Sequence, residues 1–126
     1  MTVVVGYVAT KEGKAALERA VQEATERSTK LLVLDSRASK ADEEPVSRLL
    51  EEAGRSGVEV ELRSLTHTDD PAEDIIAAAD EVGAELIVIG LRRRTPVGKL
   101  ILGSNAQRIL LDAACPVLAV KAPASA

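Results

Sequence analysis

Aromatic side chains are almost absent from this chain. Of its 126 residues only Tyr7 is aromatic, and Phe and Trp do not occur. Proteins that bind single-stranded nucleic acid usually stack bases on aromatic side chains, and general nucleic-acid binding also needs a broad basic surface. The formal net charge of −4 argues against such a surface. We therefore expect no nucleic-acid partner and a core built from Val, Ile, Leu and Ala.

Cysteine and long apolar runs are equally scarce. Cys115 is the only cysteine, so an internal disulfide cannot form and a reducing compartment is compatible with the sequence. The first residues, MTVVVGYVAT, lack the features of a signal peptide, and no apolar run approaches the ~18 residues of a membrane span. We expect one domain over residues 1–126, located in the cytoplasm and without a membrane partner. Cys115 itself is interpreted as a small buried apolar residue.

Several well-known nucleotide-binding and catalytic motifs are also missing. A Walker A loop would need glycine where Arg93 stands, and Ser or Thr where Leu100 follows Gly98 and Lys99. The patterns G-x-G-x-x-G, G-x-S-x-G, H-E-x-x-H and C-x-x-C do not occur. His67 could lie at the rim of a site, but the sequence offers it no catalytic partner. We therefore expect a protein that is not an enzyme, with at most slow ATP hydrolysis.

Apolar patterning predicts five strands that alternate with four helices. Short apolar runs at 2–5, 31–34, 86–89 and 116–120 are typical of buried strands, and an alternating pattern at 58–63 predicts an edge strand with one wet face. Helical spacing follows the turn at 9–12 and extends to about Arg27, and it recurs from Pro45, from Pro71 and from Ser104. Such alternation predicts a three-layer α/β sandwich around a five-stranded parallel sheet.

The segment 86–111 is strongly basic. It contains no Asp or Glu but has five cationic residues, Arg92, Arg93, Arg94, Lys99 and Arg108. The pattern predicts a loop over 90–103 that ends at the N terminus of the last helix, where free N–H groups favour a phosphate. We expect an anion there, contacted by at least one of the three arginines. Ser104 is also expected to cap this helix through its hydroxyl, and Lys99 to shield apolar surface.

Three strand ends are expected to converge on this loop. Residues 6–10, 35–37 and 90–103 all follow the carboxyl ends of predicted parallel strands, where ligands of α/β sheets bind. We expect Asp35 to supply the acidic contact, either to a ribose hydroxyl or to a Mg²⁺ ion.

Three residues of the basic segment, Gly90, Gly103 and Ser104, match a looser pattern. Together with VVVGYV near the start and GKLILGSNAQRILLDAACPVLAV near the end, they resemble the universal stress protein family. Nucleotide-binding members of that family have G-x2-G-x9-G-(S/T) between the fourth strand and the last helix. The resemblance extends over nearly the whole chain.

The resemblance implies a strand order of 3-2-1-4-5 and a bound ATP or AMP. The phosphates would lie along residues 90–104, and the adenine would lie between Val8 and Ser36. The full set of expected nucleotide contacts is Val8, Ala9, Asp35, Ser36, Gly90, Arg92, Arg93, Gly98, Gly103, Ser104 and Asn105.

Two positions depart from the family pattern. Arg93 replaces the second glycine of the motif, so it either blocks the backbone cradle or replaces it with a guanidinium clamp, while Gly98 restores loop freedom. Val8 and Ala9 follow the first strand where nucleotide-binding members have Asp and Gly. An alternative function therefore stays open: an interaction protein of the same fold that uses the basic loop for another anion or for a protein.

The last strand predicts a homodimer. Residues 117–120 are continuously apolar although the strand is expected at a sheet edge, and exposed apolar edges are liabilities unless they are paired. In the family this strand pairs with its two-fold mate, so the resemblance implies the same interface here.

Overall fold

The computed structural model describes residues 1–8, 10–35, 43–65, 70–94 and 99–122. Six strands and four helices follow one another in these ranges. Their bounds are β1 Thr2–Tyr7, α1 Lys11–Arg27, β2 Lys30–Asp35, α2 Glu43–Arg55, β3 Val60–Ser64, α3 Pro71–Val82, β4 Leu86–Arg94, β5 Lys99–Ile101, α4 Ser104–Asp112 and β6 Val117–Lys121.

Five of the strands form a parallel sheet in the order β3-β2-β1-β4-β6. This is the predicted order 3-2-1-4-5 when the parallel strands alone are numbered, so the predicted fold class is confirmed. The chain runs outward from β1 to β3 on one side and from β4 to β6 on the other. The strand order therefore reverses between β1 and β4.

Alternate residues of the central strands face two separate apolar layers, because successive side chains of a strand point to opposite faces. Val3 and Val5 pack with α1 and α2 on one face, whereas Val4 packs with α3 and α4 on the other. All three valines are fully buried. The sheet is thus covered by helices on both sides, as expected for continuous apolar strands.

Two helices begin at side-chain caps. The Gly13 N–H donates to the Thr10 hydroxyl at 3.0 Å, so α1 begins at Lys11 and the turn predicted at 9–12 is already helical from its third residue. Asp70 caps α3 in the same way by accepting from the Glu73 N–H at 3.3 Å, with Pro71 in the first turn as predicted.

The basic segment is not the open loop that the sequence predicted. β4 continues past Gly90 to Arg94, and Arg92–Arg94 pairs in antiparallel register with Lys99–Ile101. The physical reason is that the backbone N–H and C=O groups of a long segment between two elements need hydrogen-bond partners. The antiparallel pairing of β4 with β5 supplies these partners within the segment itself. Gly98 lies outside the described residues.

The prediction of one wet face on the third strand is also wrong in detail. Leu62, expected to be covered, is 56% exposed, while Glu61 and Arg63 are only partly exposed. The two charged side chains are held in ion pairs: Arg63 contacts Glu61 at 2.5 Å and Glu81 of α3 at 2.9 Å. Because of these ion pairs, the face with Glu61 and Arg63 is less exposed to solvent than Leu62 on the opposite face.

Candidate functional site

The candidate site lies at the carboxyl edge of the parallel sheet, beyond the point where the pairing of β1 with β4 stops. Val3 to Val5 pair in parallel register with Leu86 to Val88, and the strand order reverses between these two strands. Connections that leave such a switch point in opposite directions open a crevice, and ligands of doubly wound sheets bind in it. Two adjoining hollows occupy this crevice.

The first hollow, which we call the apolar cleft, has a volume of about 150 Å³. Its floor and walls come from the end of β1, from residues 89–90 in the middle of β4, and from facing sides of α3 and α4. The apolar side chains that line it include Val8, Leu65, Pro71, Ile75, Ile89, Ala106 and Ile109. Polar groups reach it from the start of α1, at Thr10 and Glu12. The cleft therefore offers a mainly apolar surface with a polar rim.

The second hollow, which we call the helix-end pocket, has a volume of about 330 Å³ and lies at the N terminus of α4. Its lining consists of Val8, Gly90, Leu91, Gly103, Ser104, Asn105 and Ala106. Four of these residues, Val8, Gly90, Asn105 and Ala106, also line the apolar cleft. The two hollows therefore adjoin and form one continuous crevice.

The N terminus of α4 has no side-chain cap. Gly103, not Ser104, is the N-cap residue, so the prediction that the Ser104 hydroxyl caps this helix is wrong. The Gln107 N–H already donates to the Gly103 carbonyl at 2.9 Å, which makes Ser104 the first helical residue. The first N–H groups of a helix have no partner within it, and no acidic residue stands in this first turn. The helix end therefore presents donors and a positive dipole end to the helix-end pocket.

Gly103 has room in front of it. Among the described residues other than its two chain neighbours, no heavy atom lies within 4 Å of a Cβ built at this position, and its φ of −67° is ordinary for any residue. Neither packing nor backbone conformation therefore requires glycine here. A glycine at a helix N-cap still allows a ligand to approach the backbone closely.

Gly90 has a different role, which the sequence did not reveal. A Cβ built on it would lie 2.4 Å from the Glu12 carbonyl oxygen, and one built on Gly13 would lie 1.9 Å from the Val8 carbonyl oxygen. These two glycines let the first turn of α1 pack directly against Val8, just after β1, and against Gly90 of β4. Packing alone therefore requires glycine at position 90, whatever the pocket binds.

Arg108, the last cation of the basic segment, forms ion pairs with carboxylates of this same chain. It donates through Nη1 to both carboxylate oxygens of Asp70 at 3.0 Å and through Nη2 to Glu73, and its Nε lies 3.7 Å from Asp112. The hydrogen bond to Asp70 raises the pKa of the Arg108 guanidinium, with smaller contributions from Glu73 and Asp112. One of the five cations is thus paired with internal carboxylates and does not line either hollow.

The structure brings five of the predicted site residues together in the helix-end pocket: Val8, Gly90, Gly103, Ser104 and Asn105. Asp35 lies at the same edge, paired in register with Tyr7, but it is not among the residues lining either hollow. Arg92 and Arg93 are placed by their backbone in the hairpin. Ala9, Ser36, Gly98 and His67 lie outside the described residues. Asp35, Arg92 and Arg93 remain expected contacts.

The apolar lining of the cleft was missed by sequence reasoning. Ile75 and Ile109 have the spacing of core-facing helix positions, and nothing in that spacing separates a core residue from one that borders a cleft. Thr10 could have been found as a helix cap, because a Thr directly before a helical run is a common N-cap. Within the described part of the chain, no three His, Cys, Asp or Glu side chains are grouped to hold a metal ion, so the expected Mg²⁺ stays a prediction.

Cys115 is half-buried rather than fully buried. It packs against the apolar layer formed by α3 and α4, and burial raises the pKa of its thiol. Of the helices in the described ranges, none is both long enough and apolar enough to span a membrane.

The fold and the crevice place this chain in the class of doubly wound α/β proteins, whose ligands bind at the carboxyl edge of the sheet. The chain belongs to the universal stress protein family, because the model of that family matches residues 1–121. A universal stress protein of Mycolicibacterium smegmatis is 43% identical over 129 residues, which cover 94% of this chain and 96% of that protein.

Solved structures of the same family are similar along nearly the whole chain. The universal stress protein of Archaeoglobus fulgidus in complex with dAMP is 28% identical with a TM-score of 0.68, covering 94% of this chain and 96% of that one. A universal stress protein in complex with cAMP is 25% identical with a TM-score of 0.68, covering 98% of both chains. Both similarities extend over the strands and helices that form the crevice.

Proposed function

We propose that this protein binds an adenine nucleotide, ATP or AMP, in the crevice between β1 and β4, with its phosphates at the N terminus of α4. The observation that supports this most directly is the helix-end pocket. There an uncapped helix begins at a glycine with open space in front of it. Free N–H groups and a positive dipole end suit a phosphate.

The shape of the crevice supports the same ligand. The apolar cleft suits a base, and the helix-end pocket beside it suits phosphates, so the two hollows match the two ends of a nucleotide. The larger of them, about 330 Å³, is at the lower end of the ~300–1,000 Å³ typical of small-molecule sites. Relatives of similar fold were solved with cAMP and with dAMP, and both ligands contain an adenine base and a phosphate.

The finer contacts follow from the family pattern. Ser104 and Asn105 would donate to the phosphates from the first turn of α4, and Arg92 and Arg93 would approach them from β4. The base would lie near Val8, with Ala9 and Ser36 beside it and Asp35 at the ribose or at a Mg²⁺ ion. We expect a regulatory module of one domain over residues 1–126, located in the cytoplasm, with at most slow ATP hydrolysis.

Nucleotide released from the purified protein by denaturation, together with calorimetric titration of ATP and AMP, tests the proposal. Gly103→Val would fill the approach to α4 and should weaken binding by at least about tenfold, because hydrogen bonds to a charged phosphate are worth about 1.5–3 kcal/mol each. Gly54→Val is the matched control, because a Cβ there also meets open space but on α2, away from the crevice. Absence of binding at millimolar ATP and AMP would refute the proposal.

One observation favours the alternative, a protein of this fold that has lost nucleotide and binds a protein or another anion. Val8 is 43% exposed and lines both hollows, at the position where the family's nucleotide-binding pattern has Asp. On this alternative the wild type binds no ATP, whereas Val8→Asp combined with Arg93→Gly acquires it. Equal binding by the wild type and the double variant would eliminate the alternative.

We also propose that the protein is a homodimer joined along residues 117–120 of β6. Among the described strands, β6 pairs with β4 alone, so its outer edge lacks a partner in the monomer. Leu110 and Leu111 of α4, the helix before β6, are exposed. Exposed apolar side chains of this kind are typical of surfaces that bind another protein.

A further inference from the structure

Arg108 joins the two helices that form the apolar cleft. It lies on α4 and donates to both carboxylate oxygens of Asp70, the N-cap of α3, at 3.0 Å. It also donates to Glu73 in the first turn of α3. The guanidinium thus donates through Nη1 to Asp70 and through Nη2 to Glu73, and such charge-assisted hydrogen bonds from two nitrogens of one planar group restrict how the two helices lie against each other.

The parts of α3 and α4 that this contact joins also border the cleft. Pro71 and Ile75 come from the first turns of α3, and Ala106 and Ile109 come from α4 on either side of Arg108 in sequence. Since the cleft lies between these side chains, a change in the separation of α3 and α4 changes its width. The same change moves the N terminus of α4, four residues before Arg108, relative to the ends of β1 and β4.

Asp70 has two functions in this contact. Its Oδ1 accepts from the Glu73 N–H at 3.3 Å and from Arg108 Nη1 at 3.0 Å, so one carboxylate both starts α3 and holds α4. Glu73 and Asp112 add two further carboxylates around the guanidinium. The position of Arg108 is therefore determined by groups from both helices.

We infer that Arg108 and Asp70 form a clamp that sets the width of the apolar cleft and the position of the phosphate-binding helix end. Arg108 is thus a positioning residue for the ligand. The inference rests on the proposed nucleotide function of the crevice. Both side chains are partly exposed, at 40% and 44%, and exposed ion pairs usually add little to overall stability. The clamp should therefore affect binding more than folding.

Two substitutions test the clamp without removing the cap. Arg108→Gln removes the guanidinium, and Asp70→Asn removes the carboxylate charge while keeping an N-cap, because Asn caps helices about as well as Asp. Each should weaken ATP or AMP binding by about fivefold, and the double variant should bind no more weakly than either single one, as expected for two residues acting through one contact. Arg108→Lys should restore part of the affinity.

Arg27→Gln is the matched control. Arg27 has the same 40% exposure, and it likewise joins two parts of the fold, contacting Glu85 at 2.8 Å and Glu23 at 3.1 Å. It lines neither hollow. We expect urea unfolding to show similar stability losses for Arg27→Gln and Arg108→Gln, while calorimetry shows weakened binding only for Arg108→Gln.

The outcomes separate the clamp from the proposed function. If the wild type binds nucleotide and Arg108→Gln binds it equally well, the clamp is refuted and the proposed function stands. If Arg27→Gln weakens binding as much as Arg108→Gln does, the effect is one of general stability and the clamp is again refuted. If the wild type binds no nucleotide, both the function and the clamp are refuted.

Discussion

Glycines 13, 90 and 103 stand around the crevice for different physical reasons. Glycines 13 and 90 are required by close packing, because a Cβ on either would overlap a backbone carbonyl of a neighbouring element. Gly103 meets no such neighbour among the described residues. Residue type alone could not separate these roles, and the family pattern had assigned both Gly90 and Gly103 to the nucleotide. Only Gly103 is left without a packing explanation.

Gly90→Ala should destabilise the protein by about 1–3 kcal/mol, the usual cost of overpacking, because its Cβ would meet the Glu12 carbonyl at 2.4 Å. Urea unfolding followed by circular dichroism measures this change. Gly54→Ala is the control: its Cβ meets open space within α2, and the substitution should stabilise the protein by about 0.4–1 kcal/mol. Unchanged stability for Gly90→Ala would contradict the packing role assigned to Gly90.

At the scale of elements, the C terminus of α1 is joined by a row of ion pairs to the edge of the sheet that lies away from the crevice. Glu23 accepts from Arg19 at 3.0 Å and from Arg27 at 3.1 Å, and Arg27 also contacts Glu85 just before β4. The hydrogen bond from Arg19, followed by that from Arg27, holds the pKa of Glu23 below its ordinary value of 4.5. α1 is thus fixed at both ends, by close packing at its N terminus and by charge at its C terminus.

This row predicts a pH dependence of stability. The folded-state pKa of Glu23 is lowered, so its contribution is complete above the unfolded value of about 4.5 and is lost as the pH falls through the folded value. Glu23→Gln should lower the free energy of unfolding at neutral pH and match the wild type in acid. Urea titrations between pH ~7 and pH ~3 measure the difference.

Glu26→Gln on the same helix is the control, because Glu26 has no ion pair among the described residues. It should leave the free energy of unfolding at neutral pH close to that of the wild type. A Glu23→Gln protein whose stability falls with pH as steeply as that of the wild type would contradict the assigned role of Glu23.

At the scale of the whole molecule, the two edges of the sheet differ in chemistry. β3 is lined with charge: Lys30 lies 3.0 Å from Glu61 and 3.3 Å from Glu59, and Arg63 joins Glu61 to α3. Charged edges discourage pairing with another sheet. β6 is apolar from residue 117 to residue 120, so it is the edge at which a second copy would pair.

Ala119→Pro should convert the proposed dimer into a monomer. Ile87 N–H donates to the Pro116 carbonyl at 3.0 Å, and backbone groups alternate in direction along a parallel ladder, so the Ala119 N–H points away from β4. Proline there removes an outward donor without removing a hydrogen bond to β4. Light scattering coupled to size exclusion measures the mass.

Ala119→Gly is the matched control, because it also changes the side chain but keeps the N–H group. It should remain dimeric. If the wild type has the 13.3 kDa mass of a single chain, the proposed interface is refuted.

The sequence by itself determined the elements, their alternation and the parallel sheet, because apolar spacing and caps such as Asp70 are local properties that act over a few residues. It also indicated where a phosphate would lie, since Gly103 and Ser104 mark a helix entry. Only the tertiary structure showed that Gly90 packs against Glu12, that Arg108 is paired with Asp70 and that the basic segment folds into a hairpin. The first two depend on contacts between residues far apart in the chain, and the third depends on backbone pairing within the segment between β4 and α4. Neither the spacing nor the type of residues specifies such contacts.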